Sequence, residues 1–267
     1  FSSVYQCCTF RGSVSALDAN TGKIIWKTYT VAGTPKPTQK NSKGVQQWGP
    51  NGGAVWNSPT IDAKNSAIYI GTGDAYTFPA AKTTDAIMAL DMKTGKIMWA
   101  VQDTENDAWL AGCGPGNTLG NCPKDMGPDY DFGSSPILKT LPDGHRMLVA
   151  GQKSGMVWGH DPDREGTVAW KTPLVAKLAL GIIRFGGAAD DQYAYFGVST
   201  GGVAAIRIDT GEKKWFTPIA GPSAPGPRGE GAAITAIPGV IFSGSSEGML
   251  RAFATDDGRL LWDYNMI

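Results

Sequence analysis

Short apolar and β-branched runs alternate along this chain with turn residues, at a spacing too tight for helices. Ala67-Ile68-Tyr69-Ile70, Met147-Leu148-Val149-Ala150, Tyr193-Ala194-Tyr195-Phe196 and Val240-Ile241-Phe242 each run into a Gly within two residues. Such runs predict strands closed by tight turns. No long helical period interrupts them. The most apolar stretch, residues 174–185, is broken by Lys177 and Arg184. It is far shorter than the roughly 20 residues that a membrane span needs.

The turns themselves repeat. ALDANTGKIIW at residues 16–26 returns as ALDMKTGKIMW at 89–99, more loosely at 161–170, and again at 209–215 and 256–262. In each copy Gly supplies a positive φ, and Asp and Thr side chains bond local backbone, so the middle of the unit is a hairpin turn. The repeat tryptophans Trp26, Trp99, Trp170, Trp215 and Trp262 lie 73, 71, 45 and 47 residues apart. The short spacings match a four-stranded propeller blade of roughly 40–50 residues. The long ones match a blade carrying an insertion of about 25 residues. The pattern predicts an all-β propeller fragment spanning residues 1–267, about five blades with a repeat Trp packed between neighbours. The alternative is an ordinary β-sandwich with coincidental Trp–Gly turns, which five in-phase copies disfavour.

Composition narrows the class. Lys plus Arg and Asp plus Glu balance at 24 each in 267 residues, so charge offers no case for nucleic acid or an anionic membrane as partner. The chain opens on Phe1, inside repeat-like sequence, which reads as a piece of a larger propeller. Cys113 and Cys122 flank a Gly-rich loop. A disulfide there would remove roughly 2–3 kcal/mol of loop entropy and suits an oxidising compartment; two free thiols are the alternative. Cys7 and Cys8 are adjacent. Their Cα atoms, about 3.8 Å apart, lie below the usual disulfide range of roughly 4.4–6.8 Å, so either a strained bridge or two thiols fits.

Three familiar enzyme chemistries find no footing. The only histidines, His145 and His160, have no triad-like company. GSSEG at residues 244–248 matches a nucleophile-elbow string but stands between strands, not before a helix. No phosphate-binding or dinucleotide fingerprint occurs. The candidate chemistry lies in the insertions. WGPNGGAVWNSP (48–59) offers a flat aromatic in a Gly-rich loop, which can stack on a planar ring. GTGDAY (71–76) and QDTENDAWLAG (102–112) carry carboxylates off strand ends, and carboxylates suit a hard cation.

At these residues the chain resembles the quinoprotein alcohol dehydrogenases, eight-bladed propellers that use pyrroloquinoline quinone (PQQ) and Ca²⁺. Within them it is similar to the cytochrome-dependent polyvinyl alcohol dehydrogenase branch. The resemblance is carried in order by CCTFRGSVSALD, GGAVWNSPTID, IGTGDAYTFPAA, QDTENDAWLAGC, PDYDFGSSPILKT and AGQKSGMVW, and covers essentially the whole chain. It implies that Trp56 is the floor beneath the quinone, that Asp74 ligates the metal, and that Asp107 is the catalytic carboxylate and a possible metal ligand, with Trp109 behind it. It implies that Lys153 reaches the quinone oxygens. Asp103 and Glu105 read as solvated loop charges. The plain alternatives are a core aromatic at Trp56, a turn-forming Asp74 and a surface Lys153. One position departs from the family: the metal-ligating Glu often found just before the first repeat's Arg-Gly falls on Cys7, and the first Glu in the chain is Glu105. No haem-binding Cys-x-x-Cys-His is present.

The resemblance further implies oxidation of an alcohol, secondary and even polymeric, to a carbonyl. Asp107 would take the hydroxyl proton, hydride would pass to the quinone, and electrons would leave to a cytochrome c in the periplasm. The competing reading is a non-catalytic propeller that uses the same repeat as a binding or assembly scaffold. Trp56, Asp74, Asp107 and Lys153 in that order separate the two, because a scaffold needs none of them.

Overall fold

The computed structural model describes residues 9–113, 120–176, 182–219 and 229–267. It divides into two units, residues 1–132 and 133–267. The first unit opens with the hairpin β1 (Ser13–Leu17) and β2 (Ile24–Tyr29). A second hairpin follows, β3 (Lys36–Lys40) and β4 (Gln46–Gly49). Then comes a four-stranded meander of β5 (Thr60–Asp62), β6 (Ala67–Gly71), β7 (Ala86–Asp91) and β8 (Ile97–Gln102). The second unit holds three more meanders. They are β9 (Ile137–Thr140) to β12 (Thr167–Pro173) through β10 (Arg146–Gly151) and β11 (Met156–Asp161), then β13 (Ala188–Ala189), β14 (Tyr193–Val198), β15 (Gly202–Arg207) and β16 (Lys213–Pro218), and last β17 (Thr235–Ile237), β18 (Val240–Gly244), β19 (Met249–Ala254) and β20 (Leu260–Asn265). All pairings in these sheets are antiparallel between consecutive strands. Among the described residues the one helical element is the 3₁₀ turn Pro162–Arg164. The expected all-β propeller architecture is present: four sequence repeats close four-stranded sheets, and the first closes the β1–β2 hairpin.

Stacked sheets explain why the inner strands read as nearly unbroken apolar runs. Tyr195, Val203 and Ala205 pack with Ile241 and Phe253. Their strand neighbours Phe196, Val198, Ala204 and Ile206 pack with Met147, Val149 and Val157. Successive side chains on a strand face opposite ways, so the β13–β16 sheet is buried on both faces and cannot afford a polar side. In the first unit, Ile70, Met88 and Leu90 pack with Val14 of the first hairpin.

The repeat turn has one chemistry. Asp18 Oδ1 accepts from the Thr21 backbone N–H at 2.8 Å and from its hydroxyl at 2.7 Å; Asp91 does the same with Thr94, both at 2.7 Å. These bonds, the threonine hydroxyl first, hold both carboxyls below the usual Asp range. The outer-strand Trp of one sheet then docks on the turn of the next. Trp26, Trp170 and Trp215 donate Nε1–H to the carbonyls of Met92, Ile208 and Thr255 at 3.1, 3.0 and 3.1 Å. Two residues on, Thr28, Thr172 and Thr217 each donate to the carbonyl of the turn Gly at 2.6 Å. Trp99 lies against Tyr69 of its own sheet, with ring centroids 5.7 Å apart. Trp262 is exposed beside Tyr264.

The turn glycine is required twice over. Gly211 has φ +74°, and a Cβ there would stand 2.5 Å from the Trp170 ring. Gly144 shares a positive φ, +87°, with open space around it. The left-handed backbone alone costs a side chain about 1–2 kcal/mol, and overpacking adds about 1–3 kcal/mol. Gly211→Ala should therefore cost about 2–5 kcal/mol in chemical denaturation, and Gly144→Ala about 1–2 kcal/mol. Equal losses would remove the ring contact from the account.

Cys113 and Cys122 form a disulfide with Cα atoms 5.7 Å apart. The β3–β4 hairpin holds this loop: Asn41 Nδ2 donates to the carbonyls of Gly120 and Cys122 at 2.6 and 3.1 Å, and Gln47 Nε2 donates to those of Asn121 and Cys122 at 3.2 and 2.9 Å. Cys7 and Cys8 lie outside the described residues.

Candidate active site

Four segments of the first unit meet: residues 52–57, 71–76, 106–109 and 127–132. Gly52 and Gly53, with φ +81° and +63°, let the first run tightly against the second. Gly53 N–H donates to the Asp74 carbonyl and Gly73 N–H to that of Ala54, both at 2.8 Å. A Cβ at Gly52 would stand 2.3 Å from the Asp74 carbonyl oxygen. Asn57 clamps the second segment to the fourth, donating to the carbonyls of Gly71 at 2.8 Å and Phe132 at 2.7 Å.

This scaffold brings Asp74, Asp129 and Asp131 together. One oxygen from each lies within 4.8 Å of the others, and all three side chains are buried. Oxygens on the shell of a Ca²⁺ ion, at about 2.3–2.6 Å from it, can be at most about 5 Å apart, so the spacing fits a hard cation. The charge state argues the same way. Burial first, and then the carboxylates of Asp131, Asp85, Asp129 and Asp107, push the Asp74 carboxyl well above its ordinary range. Asp74 Oδ2 is buried with no hydrogen-bond partner. A carboxyl raised in this way keeps its proton until a cation offsets the charge of the ionised form.

Trp56 stands at the edge of this cluster. Its indole Nε1 donates to Asp131 Oδ2 at 3.2 Å, and it is 36% exposed. Asp131 Oδ1 accepts from the Asp74 backbone N–H at 2.7 Å. A Cβ at Gly73 would approach that oxygen to 2.8 Å, so Gly73 leaves the room in which Asp131 sits. Tyr76, buried against Phe10 with ring centroids 5.9 Å apart, has a phenol oxygen with no hydrogen-bond partner. Burial, then Asp74 and Asp131, push that phenol up.

The other sequence-singled residues fall as follows. Asp107 is fully buried. Its Oδ1 accepts from the Asp129 N–H at 3.2 Å and its Oδ2 from the Tyr130 N–H at 2.8 Å. It is not among the three converging carboxylates. Trp109 is half-buried and donates its backbone N–H to the Ala75 carbonyl at 2.9 Å. Lys153 belongs to the second unit, in the turn between β10 and β11, where its carbonyl accepts from Ile182 N–H at 2.8 Å. Asp129 and Asp131 were not singled out from the sequence, although the PDYDFG string that contains them was. Their signal was the Asp-x-Asp spacing, but Asp129 has φ +60°, a backbone state the spacing does not reveal.

Comparison with known proteins agrees with this architecture. Residues 5–161, more than half of the chain, match the profile of the glucose/ethanol/alcohol dehydrogenase β-propeller domain. Residues 153–266 match that of the outer membrane protein assembly factor BamB. Polyvinylalcohol dehydrogenases from a Pseudomonas species and from Sphingopyxis sp. (strain 113P3) are each 42% identical, over 98% and 97% of this chain. The chain spans 42% of the length of each of these curated relatives. The solved quinohemoprotein alcohol dehydrogenase from Comamonas testosteroni shares the fold, with a TM-score of 0.70, 17% identity, and coverage of 97% of this chain and 49% of that one. With its tryptophan-docked four-stranded sheets and a profile match across more than half its length, the chain belongs to the PQQ-type glucose/ethanol/alcohol dehydrogenase β-propeller family.

Proposed function

We propose that this chain carries the quinone- and metal-binding part of a PQQ-dependent alcohol dehydrogenase that oxidises secondary alcohols, polymeric ones such as polyvinyl alcohol included, to carbonyls. The observation that carries the reading is the half-exposed Trp56, bonded to Asp131, beside three converging carboxylates of which Asp74 keeps an unsatisfied buried oxygen. Ca²⁺ is the cation that best suits this all-oxygen donor set. When bound, the quinone supplies a hydride acceptor and the cation polarises its carbonyl. The chain's residues do the rest. Trp56 presents the stacking face, and Asp74 and Asp129 hold the cation with Asp131. Asp131 receives the hydroxyl proton as the alcohol's O–H and C–H bonds break and the C=O bond forms. In this assignment Asp131, which faces Trp56 and Asp74, takes the role that the sequence suggested for Asp107, which faces the backbone of Asp129 and Tyr130. Trp109 packs behind the loop. A periplasmic cytochrome c takes the electrons.

The match of residues 153–266 to an assembly factor favours a second reading, a scaffold propeller. A scaffold has no use for a buried carboxyl oxygen left without a hydrogen-bond partner, as at Asp74 Oδ2, because such a group costs stability. The two readings part on cofactor binding. PQQ with Ca²⁺ should quench Trp fluorescence of the full-length protein, and Trp56→Ala should weaken PQQ binding by about 10-fold or more, the equivalent of an aromatic stacking contact of about 1.5 kcal/mol. A wild-type protein that binds neither PQQ nor Ca²⁺ would leave the scaffold reading standing.

A further inference from the structure

We infer that Asp107 is a positioning residue: it pins the segment carrying Asp129 and Asp131 to the segment carrying Asp74, so that the three carboxylates converge. The inference rests on the cation-binding reading of the cluster for its functional consequence, and on geometry alone for the pin itself.

Asp107 holds both segments at once. Its side chain accepts the backbone N–H groups of Asp129 and Tyr130 at 3.2 and 2.8 Å. Its backbone carbonyl accepts the N–H of Ala75, next to Asp74, at 3.2 Å. The neighbours extend the seam: Trp109 N–H donates to Ala75 at 2.9 Å, Gly127 N–H donates to Ala108 at 2.9 Å, and Ala75 and Ala108 form an isolated parallel bridge. The bonded partners are two consecutive backbone donors of a loop, at the buried Asp129 and the half-buried Tyr130, and a buried backbone donor that loses its acceptor is costly. Asp129 adopts φ +60° and Asn106 φ +55°. Such left-handed residues persist only where their surroundings over-determine them. The approach is close on the far side too. A Cβ at Gly127 would stand 2.1 Å from Asp107 Oδ1, so only Gly lets the 127–131 segment come down onto the carboxylate. Asp107 is fully buried, with its two carboxylate oxygens on the backbone N–H groups of Asp129 and Tyr130.

The roles of base and pin predict different behaviour, and two variants approach the pin from opposite sides. Asp107→Asn keeps the shape but turns one acceptor into a donor that faces a backbone N–H. Gly127→Ala keeps the carboxylate but pushes it away. Backbone hydrogen exchange on the metal-free full-length protein reads the pin directly. Both variants should lose protection at the Asp129 and Tyr130 amides while the β10 and β14 amides keep theirs; amides at 129 and 130 that stay protected in Asp107→Asn overturn the inference. Terbium luminescence and Ca²⁺ titration read the consequence. Affinity should fall about 10–100-fold in both variants, the usual effect of residues supporting a metal ligand. Saturating Ca²⁺ should then restore most of the turnover of Asp107→Asn, with the pH profile of kcat unchanged. Turnover that stays down about 10²–10⁴-fold at saturating Ca²⁺, with the basic group lost from the profile, would make Asp107 the base and sink the inference. A wild-type protein without affinity for either cation would count against the cation reading, while the exchange result would still decide the pin.

Discussion

Asp131→Asn is expected to lower alcohol oxidation by about 10²–10⁴-fold at saturating Ca²⁺ and PQQ, the usual cost of losing a general base. Asn has no basic carboxylate, so the hydroxyl proton has no acceptor where Trp56 and the cation would place the substrate. The amide oxygen can still accept from the Asp74 N–H that now bonds Oδ1 at 2.7 Å. The amide nitrogen can face the indole N–H that now donates to Oδ2 at 3.2 Å, a donor against a donor. Some weakening of the Trp56 contact is therefore built into the variant. For that reason PQQ occupancy must be measured alongside turnover, by absorbance of the washed holoenzyme. A variant that retains PQQ and turns over within 10-fold of wild type, a smaller loss than removal of a general base brings, would remove Asp131 from proton transfer.

Asp74→Asn should move stability and metal affinity in opposite directions. Without metal, Asp74 is buried among other carboxylates with Oδ2 unsatisfied. Its folded-state carboxyl is raised, so above the ordinary Asp range ionisation is paid for in folding free energy. A neutral amide removes that charge. The metal-free variant should therefore be more stable near neutral pH by about 0.5–2 kcal/mol, the size typical of relieving a functional site. The advantage should vanish as pH falls below the ordinary Asp range, where the wild-type carboxyl is protonated in both states. Ca²⁺ affinity should drop by at least about 10–100-fold, because that range describes residues that merely support a ligand. With excess Ca²⁺ the order of stabilities should reverse, since ligand bound only to the folded state stabilises it by mass action. Thermal unfolding with chelator and with Ca²⁺ checks both signs. A metal-free variant less stable than wild type would show that Asp74 serves the fold rather than a cation.

The repeat was legible because its determinants are local. Asp18 and Thr21, three residues apart, close their own turn, and Asp91 and Thr94 repeat it. Gly and Trp at fixed offsets let the next sheet dock, so phase along the chain became stacking in space. The disulfide was legible for the same reason: Cys113 and Cys122 are separated by 9 positions, and chain length alone brings them within reach. The link between the β3–β4 hairpin and that loop was not legible, since Asn41 and Cys122 are 81 residues apart and nothing in either segment names the other.

The site divides along the same line. Sequence by itself picked out the candidate segments: the Gly-rich turn that presents Trp56, the strand end that presents Asp74, and the string containing Asp107. Those are properties of single segments. Which carboxylates converge was decided by tertiary structure, because it depends on four loops drawn from residues 52–132 and held by backbone hydrogen bonds. Asp107 and Asp131 are both aspartates on loops near strand ends, and residue type cannot rank them. Both are buried, and the fold separates them by their hydrogen-bond partners. Asp107 turns inward, with both oxygens on backbone N–H groups. Asp131, through the left-handed Asp129 before it and the room left by Gly73, turns toward Trp56 and Asp74.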